Sequence, residues 1–204
     1  MAMSVRSVLV IAATPSELRE LGSGPWSVLT LGVGLVEAAL ALADAADSLP
    51  TQAWLIGTAG AYPGSGLEIG QVVMADSYRF ASAAAVQGRA HLPDAQPTVA
   101  SPPAPAHTAP PDYPRVATLT TPSLTLAPRN AAFLGRLAQV EHLELFAAAR
   151  WAERAGIEFG ALLGISNEVG PSGHEQWLRF HHQAEAAAAR ALRALLLDSG
   201  SSGA

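Results

Sequence analysis

The sequence predicts a single α/β domain in which helices flank a central, twisted sheet of mixed but mostly parallel strands. Short apolar runs, typical of strands buried on both faces, alternate with stretches of helical periodicity. Helix-start residues follow these runs closely, at the spacing of βαβ units. The length of 204 residues suits one domain, and a domain of that size buries about 70% of its unfolded surface without a metal or disulfide.

The first apolar run, residues 7–13, is rich in β-branched residues and predicts a strand covered on both faces. Thr14 suits a helix N-cap, and Pro15 suits the first helical position. Glu17 lies in the first turn, where the helix dipole favours an acid. The strand therefore delivers its carboxyl end into a helix start.

The rest of the chain predicts further strands and helices in the order of a mostly parallel sheet. The predicted strands are residues 26–31, 54–57, 70–75, 115–120, 140–143 and 159–165. The predicted helices are residues 35–48, 130–137, 145–155, which Gly156 closes, and 174–197. The domain is predicted to cover residues 1–198, and residues 199–204 are predicted to be a flexible tail.

Residues 93–114 hold eight prolines in 22 positions. Because proline lacks the N–H that a ladder or helix needs, this stretch predicts an extended surface loop with neither. The loop is either a passive insertion or a segment with a role of its own.

The composition excludes several classes of function. All twelve basic residues are arginine, against seventeen acids, and cysteine is absent. This excludes lysine and thiol nucleophiles, zinc ribbons and disulfide frameworks, and it argues against a nucleic-acid partner. No apolar run reaches the about 20 residues of a membrane helix, and the N-terminus leads straight into a strand. We therefore expect a cytoplasmic protein without a membrane partner.

Other motifs predict no metal site and no cofactor. His181 and His182 are adjacent, so we expect them to point to different faces of their helix, and no HExxH pattern occurs. Residues 32–34, Gly-Val-Gly, lack the third glycine of a dinucleotide fingerprint. No serine lies in a GxSxG setting, which argues against a serine hydrolase.

Three polar side chains follow predicted strands at the edge where open parallel sheets bind ligands. Glu17 follows the first strand, Glu144 the strand at 140–143 and Asn167 the last strand. The pattern predicts a small-molecule site made of two carboxylates and an amide.

Each of these groups also has a simpler interpretation. Taken alone, Glu17 is typical of a surface acid that compensates a helix dipole. Asn167 equally suits a cap or a turn. Glu144 lies between two leucines, and a carboxylate in apolar surroundings is costly unless it is paired or hydrogen-bonded. Glu144 is therefore the least easily explained as a surface residue.

In their order along the chain, five segments resemble the nucleoside phosphorylase/nucleosidase superfamily. They are VLVIAATPSEL (8–18), GVGLVEAALAL (32–42), LIGTAGAYPGSGLEIGQVVMAD (55–76), VEHLEL (140–145) and ISNEVGPSGHEQWL (165–178). Within that superfamily they look most like the futalosine hydrolases, relatives of methylthioadenosine/S-adenosylhomocysteine nucleosidase. The resemblance implies the phosphorylase/hydrolase-like fold, a homo-oligomer and, for the futalosine branch, a place in menaquinone biosynthesis.

The resemblance implies roles around the sugar. Glu17 matches the family's acid/base glutamate, which activates the attacking water in nucleosidases. Glu144 matches the glutamate that accepts hydrogen bonds from the ribose hydroxyls. Leu143 stands where the family has a methionine that packs under the sugar.

The resemblance also implies roles at the base. Ala59 and Gly60 match the backbone that lines the base and sugar pocket, and Ala13 in the first loop is a further substrate-binding position. Asn167 stands where adenine-specific nucleosidases carry an aspartate. Because an amide pairs well with the O6 and N7 edge of a 6-oxopurine, we expect a purine nucleoside such as futalosine or a similar 5'-substituted inosine derivative, with hypoxanthine released.

Hydrolysis, phosphorolysis and nucleoside binding without catalysis stay open on this scaffold. Superfamily phosphorylases bind phosphate with arginines, one of them soon after the first strand. Here the corresponding loop has no arginine before Arg19, which favours water as the nucleophile. Departures from the family at 77–83 and at Leu145 motivate the third alternative. Leu145, Phe146 and Trp151 are expected to lie in the core or in an oligomer interface.

Overall fold

An eight-stranded mixed sheet forms the centre of the fold within residues 7–45, 49–105 and 113–201, which the computed structural model describes. The strands are β1 Val8–Ala12, β2 Trp26–Thr30, β3 Gln52–Ala61, β4 Val72–Phe80, β5 Val99–Ala100, β6 Arg115–Thr120, β7 Val140–Glu141 and β8 Glu158–Glu168. The helices are α1 Leu35–Asp44, α2 Ala83–Val86, α3 Pro128–Leu134, α4 Leu145–Ala155 and α5 Gly173–Ser201, and a single 3-10 turn covers Pro15–Leu18.

Part of the sheet closes on itself. β3 pairs with β8, β8 with β4, β4 with β6, β6 with β7, and β7 returns to the end of β3. β1 and β2 extend the sheet outward from β3, and β5 adds to β4. Five of the eight pairings are parallel, which confirms the predicted mixed, mostly parallel sheet.

The apolar run of β1 is explained by burial on both faces. Leu9 and Ile11 join the core cluster that contains residues of α1 and α4. Val10 and Ala12 point the other way, because strand side chains alternate, and they join the cluster that contains Leu192 of α5. Helices therefore cover the sheet on both sides, as predicted.

Helix α5 lies directly on β8. A Cβ at Gly164 would meet the carbonyl oxygen of Ala184 at 2.2 Å, so only glycine permits this approach. The contact fixes the middle of α5 against β8, and the helix begins at Gly173, shortly after the carboxyl end of β8.

Several predicted boundaries differ from the structure. The strand predicted at 54–57 extends over Gln52–Ala61, and the strand predicted at 159–165 over Glu158–Glu168. The helix predicted after the first strand is only a 3-10 turn. Helix α1 ends at Asp44, and residues 46–48 of the predicted helix lie outside the described part.

The prediction that residues 93–114 form no ladder is wrong at one point. Val99 and Ala100 pair with β4 opposite Arg79 and Tyr78. Neither residue is a proline, so both keep the N–H group that a ladder needs. Residues 106–112 of this stretch lie outside the described part of the chain.

The predicted tail at 199–204 begins within the last turn of helix α5, and its flexibility stays a prediction. Helix α5 continues to Ser201, since no proline or left-handed cap interrupts it, and residues 202–204 lie outside the described part. At α4, Leu145 and Phe146 are buried in the core and Trp151 packs against it, so the interface alternative is wrong for the first two. No helix among the described residues is long and apolar enough to span a membrane.

Candidate active site

A cavity of about 290 Å³ opens at the carboxyl ends of β1, β3 and β8, where the segment after β7 and the first turns of α5 complete it. Its volume lies just below the range typical of small-molecule sites, about 300–1,000 Å³. All seven site residues predicted from the sequence line this one cavity: Ala13, Glu17, Ala59, Gly60, Leu143, Glu144 and Asn167. The structure therefore brings them together.

The carboxylate of Glu17 is buried at the cavity wall, with only 6% of the residue exposed. The backbone N–H of Thr14 donates to Oε2 (3.0 Å), and that of Thr58 donates to Oε1 (3.2 Å). Burial raises the pKa of Glu17 to about 7; the charges of Glu144 and Glu185 add to the rise and the two N–H donors oppose it. The interpretation of Glu17 as a surface acid is therefore wrong, because the strand end turns it inward.

Glu144 forms the second buried carboxylate, with 5% of the residue exposed. It is the residue before α4, and the backbone N–H of Gly34 donates to its Oε1 (2.6 Å). Gly34 has a φ of +94°, a backbone conformation that residues with a side chain rarely adopt. The N–H therefore reaches the carboxylate because the turn has a glycine at this position. The hydrogen bond supplies the compensation that a carboxylate between leucines requires.

His142 is a buried cavity residue that the sequence analysis missed. Its Nδ1 accepts hydrogen bonds from the backbone N–H groups of Glu144 (3.1 Å) and Leu145 (3.2 Å). Glu144 Oε2 also lies 3.2 Å from Nδ1, but burial lowers the pKa of His142 despite that neighbour. We therefore assign a neutral ring that carries its proton on Nε2.

Nε2 of His142 faces the same point as Glu17. A Cβ built on Gly57 would lie 2.7 Å from Glu17 Oε1 and 3.5 Å from His142 Nε2. The missing side chain of Gly57 therefore leaves room for both groups. Glu17, His142 and Glu144 together form what we call the carboxylate wall.

The opposite side of the cavity, which we call the amide wall, consists of Asn167, His174 and Trp177. None of the three is buried. Asn167 Nδ2 donates to the carbonyl of Glu168 (3.2 Å), and its Oδ1 accepts from the Ser166 hydroxyl (2.8 Å). The amide is therefore oriented by local partners and is neither a helix cap nor a turn residue.

Trp177 connects the amide wall to β3. Its Nε1–H donates to the Thr58 hydroxyl (3.3 Å), and Thr58 also supplies the backbone donor to Glu17. His174 stacks against Trp177 with ring centroids 6.0 Å apart. The two walls thus meet at Thr58.

A buried network holds the third side of the cavity. Glu141 accepts hydrogen bonds from Tyr62 Oη (2.8 Å) and from the backbone N–H of Thr125 (3.0 Å). Burial and the neighbouring Glu141 raise the pKa of Tyr62, which keeps it a donor. The network anchors the segment with Leu124 and Leu126, whose exposed side chains line the cavity mouth.

One group of potential metal ligands occurs among the described residues, and it lies on α5 rather than on the cavity lining. It consists of His181, His182 and Glu185. The expectation that the two histidines point to different helix faces is wrong. Their ring centroids are 3.9 Å apart, because side-chain rotation brings the rings together although the Cα–Cβ bonds diverge.

The residues that the sequence analysis missed carry weak but recognisable signals. His142 lies beside Leu143 and two residues before Glu144, both of which predict the site, but the sequence analysis considers histidines only as metal ligands. Trp177 and His174 lie in the segment 165–178 that carries the resemblance. Glu141 is the second residue of a two-residue strand, which is too short to give a periodic pattern. Its hydrogen-bond partners come from distant parts of the sequence.

The matched family model is described as the phosphorylase superfamily, and it covers residues 10–198. No curated protein matches the sequence. A futalosine hydrolase mutant of Helicobacter pylori strain 26695 has a TM-score of 0.78 at 12% identity, over 95% of this chain and 100% of that one.

Two nucleosidase structures show the same likeness. The 5'-methylthioadenosine/S-adenosyl homocysteine nucleosidase of Helicobacter pylori has a TM-score of 0.79 at 12% identity, over 96% of this chain and 100% of that one. The corresponding enzyme of S. pneumoniae has a TM-score of 0.77 at 18% identity, over 93% and 98%. At these identities the likeness establishes the fold. Since the family model spans nearly the whole sequence and the sheet has the matching architecture, the chain belongs to the phosphorylase superfamily.

Proposed function

We propose that this protein hydrolyses the N-glycosidic bond of a purine nucleoside, namely futalosine or a similar 5'-substituted inosine derivative, and releases hypoxanthine. The observation that carries the proposal is the pair of buried carboxylates, Glu17 and Glu144, in one cavity with the amide of Asn167 opposite. The names of the structural neighbours, a futalosine hydrolase and purine nucleosidases, support the same substrate class.

Glu17 acts as the general base. With a pKa raised to about 7, it is suited to take a proton from water near neutral pH. Its two backbone donors hold the carboxylate at the end of β1 and leave it facing the cavity. Water attacks C1' of the ribose as Glu17 removes its proton, and the negative charge also stabilises the positive charge that develops on the sugar.

Glu144 binds the ribose. Its carboxylate accepts one hydrogen bond from Gly34 N–H and has further acceptor capacity for hydroxyl groups of a sugar. Leu143, half-buried beside it, supplies an apolar contact under the ring. This pair orients the sugar and adds charge stabilisation where the oxocarbenium ion forms.

Asn167 receives the purine. In the departing hypoxanthine, once N7 is protonated, N7–H donates to the amide oxygen and O6 accepts from the amide N–H, so one amide satisfies both groups. When the C1'–N9 bond breaks, its electron pair stays with the purine, and the base gains a proton from solvent because an amide is not an acid. Asn167 therefore selects and orients the base.

Water is favoured over phosphate as the nucleophile. Bidentate arginines bind phosphate strongly, and among the described residues the cavity lining includes no arginine. Arg19, which follows the first loop, is exposed and does not line the cavity.

A cytoplasmic location stays a prediction of the sequence.

The test is turnover of futalosine, inosine and 5'-methylthioadenosine by the purified chain, with and without phosphate, followed by chromatography of the released base. We expect hypoxanthine from futalosine at the same rate in both buffers. Glu17→Gln should lower kcat by at least about 1,000-fold. The matched control is Glu20→Gln, an exposed acid three positions away, which should keep full activity.

Other outcomes would replace the proposal. Ribose 1-phosphate formed only with phosphate would identify a phosphorylase. Saturable nucleoside binding by calorimetry without turnover would identify a binding protein that lacks catalysis. Turnover that survives Glu17→Gln would remove Glu17 from the mechanism.

A further inference from the structure

Helix α5 carries a compact group of metal-ligating side chains outside the cavity. One ligand atom each from His181, His182 and Glu185 lies within 4.8 Å of the others. The spacing His, His and then Glu four residues after the first histidine places His181 and Glu185 on one helix face, since residues four apart are neighbours. His182 is exposed over 68% of its side chain and is free to turn toward them.

The hydrogen bond of His181 selects the nitrogen that a metal would need. Its Nδ1 lies 2.8 Å from the carbonyl oxygen of Trp177, which only accepts, so Nδ1 carries the proton and Nε2 keeps its lone pair. Metal-binding histidines commonly donate their other ring N–H to a backbone carbonyl in this way. The ring is therefore held in the tautomer of a ligand without a metal being required to fix it.

Glu185 is the anchored member of the group. It is buried, and its Oε1 accepts a hydrogen bond from the Ser16 hydroxyl (3.3 Å). Its other oxygen lies 3.5 Å from His182 Nδ1. That separation is long for a hydrogen bond and close to the about 3.3–3.4 Å between two ligands of a tetrahedral zinc ion with bonds of about 2.0–2.1 Å.

We propose that His181, His182 and Glu185 form a binding site for a divalent transition-metal ion of the Zn²⁺ class. Two imidazoles and one carboxylate are the ligand set that such ions favour over Mg²⁺ or Ca²⁺, which prefer oxygen ligands. Three protein ligands leave a further coordination position for water. The inference is independent of the proposed nucleosidase activity.

The site is joined to the cavity by two direct contacts. His181 stacks on Trp177 with ring centroids 4.2 Å apart, and Trp177 belongs to the amide wall. Ser16, which holds Glu185, precedes Glu17 in the first loop. A bound ion therefore restrains both the amide wall and the loop that carries the proposed general base.

The test is a calorimetric titration with Zn²⁺. The full, tag-free chain is first dialysed against a chelator and is then titrated. We expect one ion per chain. His182→Ala removes an exposed ligand and should weaken binding by about 10- to 100-fold or more, and Ser16→Ala, which only frees Glu185, by about 10-fold. His91→Ala, an exposed histidine outside the group, should bind as the wild type does.

A second measurement reports the ligands directly. Co²⁺ bound in place of Zn²⁺ should give the visible absorption bands of a Co²⁺ ion with low coordination number in the wild type. His182→Ala should lose these bands, and thermal unfolding checks that this variant is folded. No saturable Zn²⁺ binding up to about 1 mM would overturn the proposal. So would a loss of less than about tenfold in both His181→Ala and His182→Ala.

Discussion

The two walls of the cavity are built in opposite ways. The carboxylate wall is buried, and each of its members accepts hydrogen bonds from backbone N–H groups at strand ends and turns. The amide wall is open, and two of its three members belong to the first turns of α5. Side chains at rigid, buried positions are preorganised for chemistry, whereas half-exposed ones can be exchanged at little cost to the fold. The comparison assigns bond cleavage to the first wall and choice of base to the second.

After Glu17, the largest expected effect comes from Glu144 in the carboxylate wall. Glu144→Gln keeps the shape but removes the charge that faces the sugar, and it should lower kcat/KM by about 100- to 1,000-fold. The matched control is Glu168→Gln, an exposed acid next to Asn167 at the amide wall, which should change kcat/KM by less than about threefold. Steady-state kinetics on futalosine measures both. Equal losses in the two variants would contradict the assignment of bond cleavage to the carboxylate wall.

The difference between the walls also explains how far the sequence could predict the site. Glu17, Glu144 and Asn167 follow strands, and parallel strands end at one edge, so their convergence was predictable. The burial of Glu17 was not, because local sequence resembles an ordinary first helical turn. The roles of His142 and Glu141 depend on partners such as the amides at 144–145 and Tyr62, which pattern alone does not bring into register.

The fold was predictable to a similar degree. Apolar runs identified most strands, since burial on both faces leaves a continuous pattern. The strands extend past those runs because β3 and β8 pair along their whole lengths, through glycines and polar residues such as Thr58 and Asn167. Val99 and Ala100 pair with the edge of β4. No pattern within the proline-rich stretch itself indicates this pairing.

The raised pKa of Glu17 predicts how catalysis by the carboxylate wall depends on pH. Because the ionised carboxylate is the base, kcat/KM should rise with pH up to about 7 and then level off. Below that value it should fall about tenfold per pH unit as Glu17 gains its proton. A pH–rate profile on futalosine measures this limb. An acidic limb near pH 4.5, the usual range of a glutamate, would contradict the burial argument.

The same pKa predicts a stability cost of the carboxylate wall. Unfolded Glu17 loses its proton near pH 4.5, while the folded protein keeps it up to about pH 7. The folded state therefore binds more protons between these values, and the free energy of unfolding falls as pH rises. Relative to wild type, Glu17→Gln should gain about 2.5 kcal/mol between pH 5 and pH 8. Urea unfolding at both pH values measures the gain, and Glu20→Gln should show none.

At the amide wall we expect a change of preference with smaller losses. The side chain introduced by Asn167→Asp accepts from the 6-amino group of adenine and, when protonated, donates to N7, whereas in its ionised form it has no donor for O6 of hypoxanthine. The ratio of kcat/KM for futalosine to that for 5'-methylthioadenosine should fall by about 10- to 100-fold. The fold should be unaffected in thermal unfolding, because Asn167 is half-exposed. An unchanged ratio would remove Asn167 from base selection.

The smallest expected effect concerns the rim beside the carboxylate wall, where we propose that a second copy of the chain docks. Val33 lines the cavity and is 63% exposed, and Val36 and Leu40 continue an apolar face along α1 with exposures of 70% and 57%. A face of this kind beside a ligand site is typical of an interface. Val36→Glu should lower the mass measured by light scattering to that of one chain.

Its effect on catalysis should be confined to substrate binding. The groups of the carboxylate wall are held by contacts within one chain, such as Gly34 to Glu144, so kcat should change by less than about threefold. Loss of a neighbouring copy at Val33 should raise KM by about 10-fold. A change of this size corresponds to the loss of roughly one apolar contact with the substrate. Leu49→Glu, an exposed apolar residue outside this helix, is the control. A kcat that collapses with the oligomer would mean that the carboxylate wall is completed by a second chain, and its independence would then be lost.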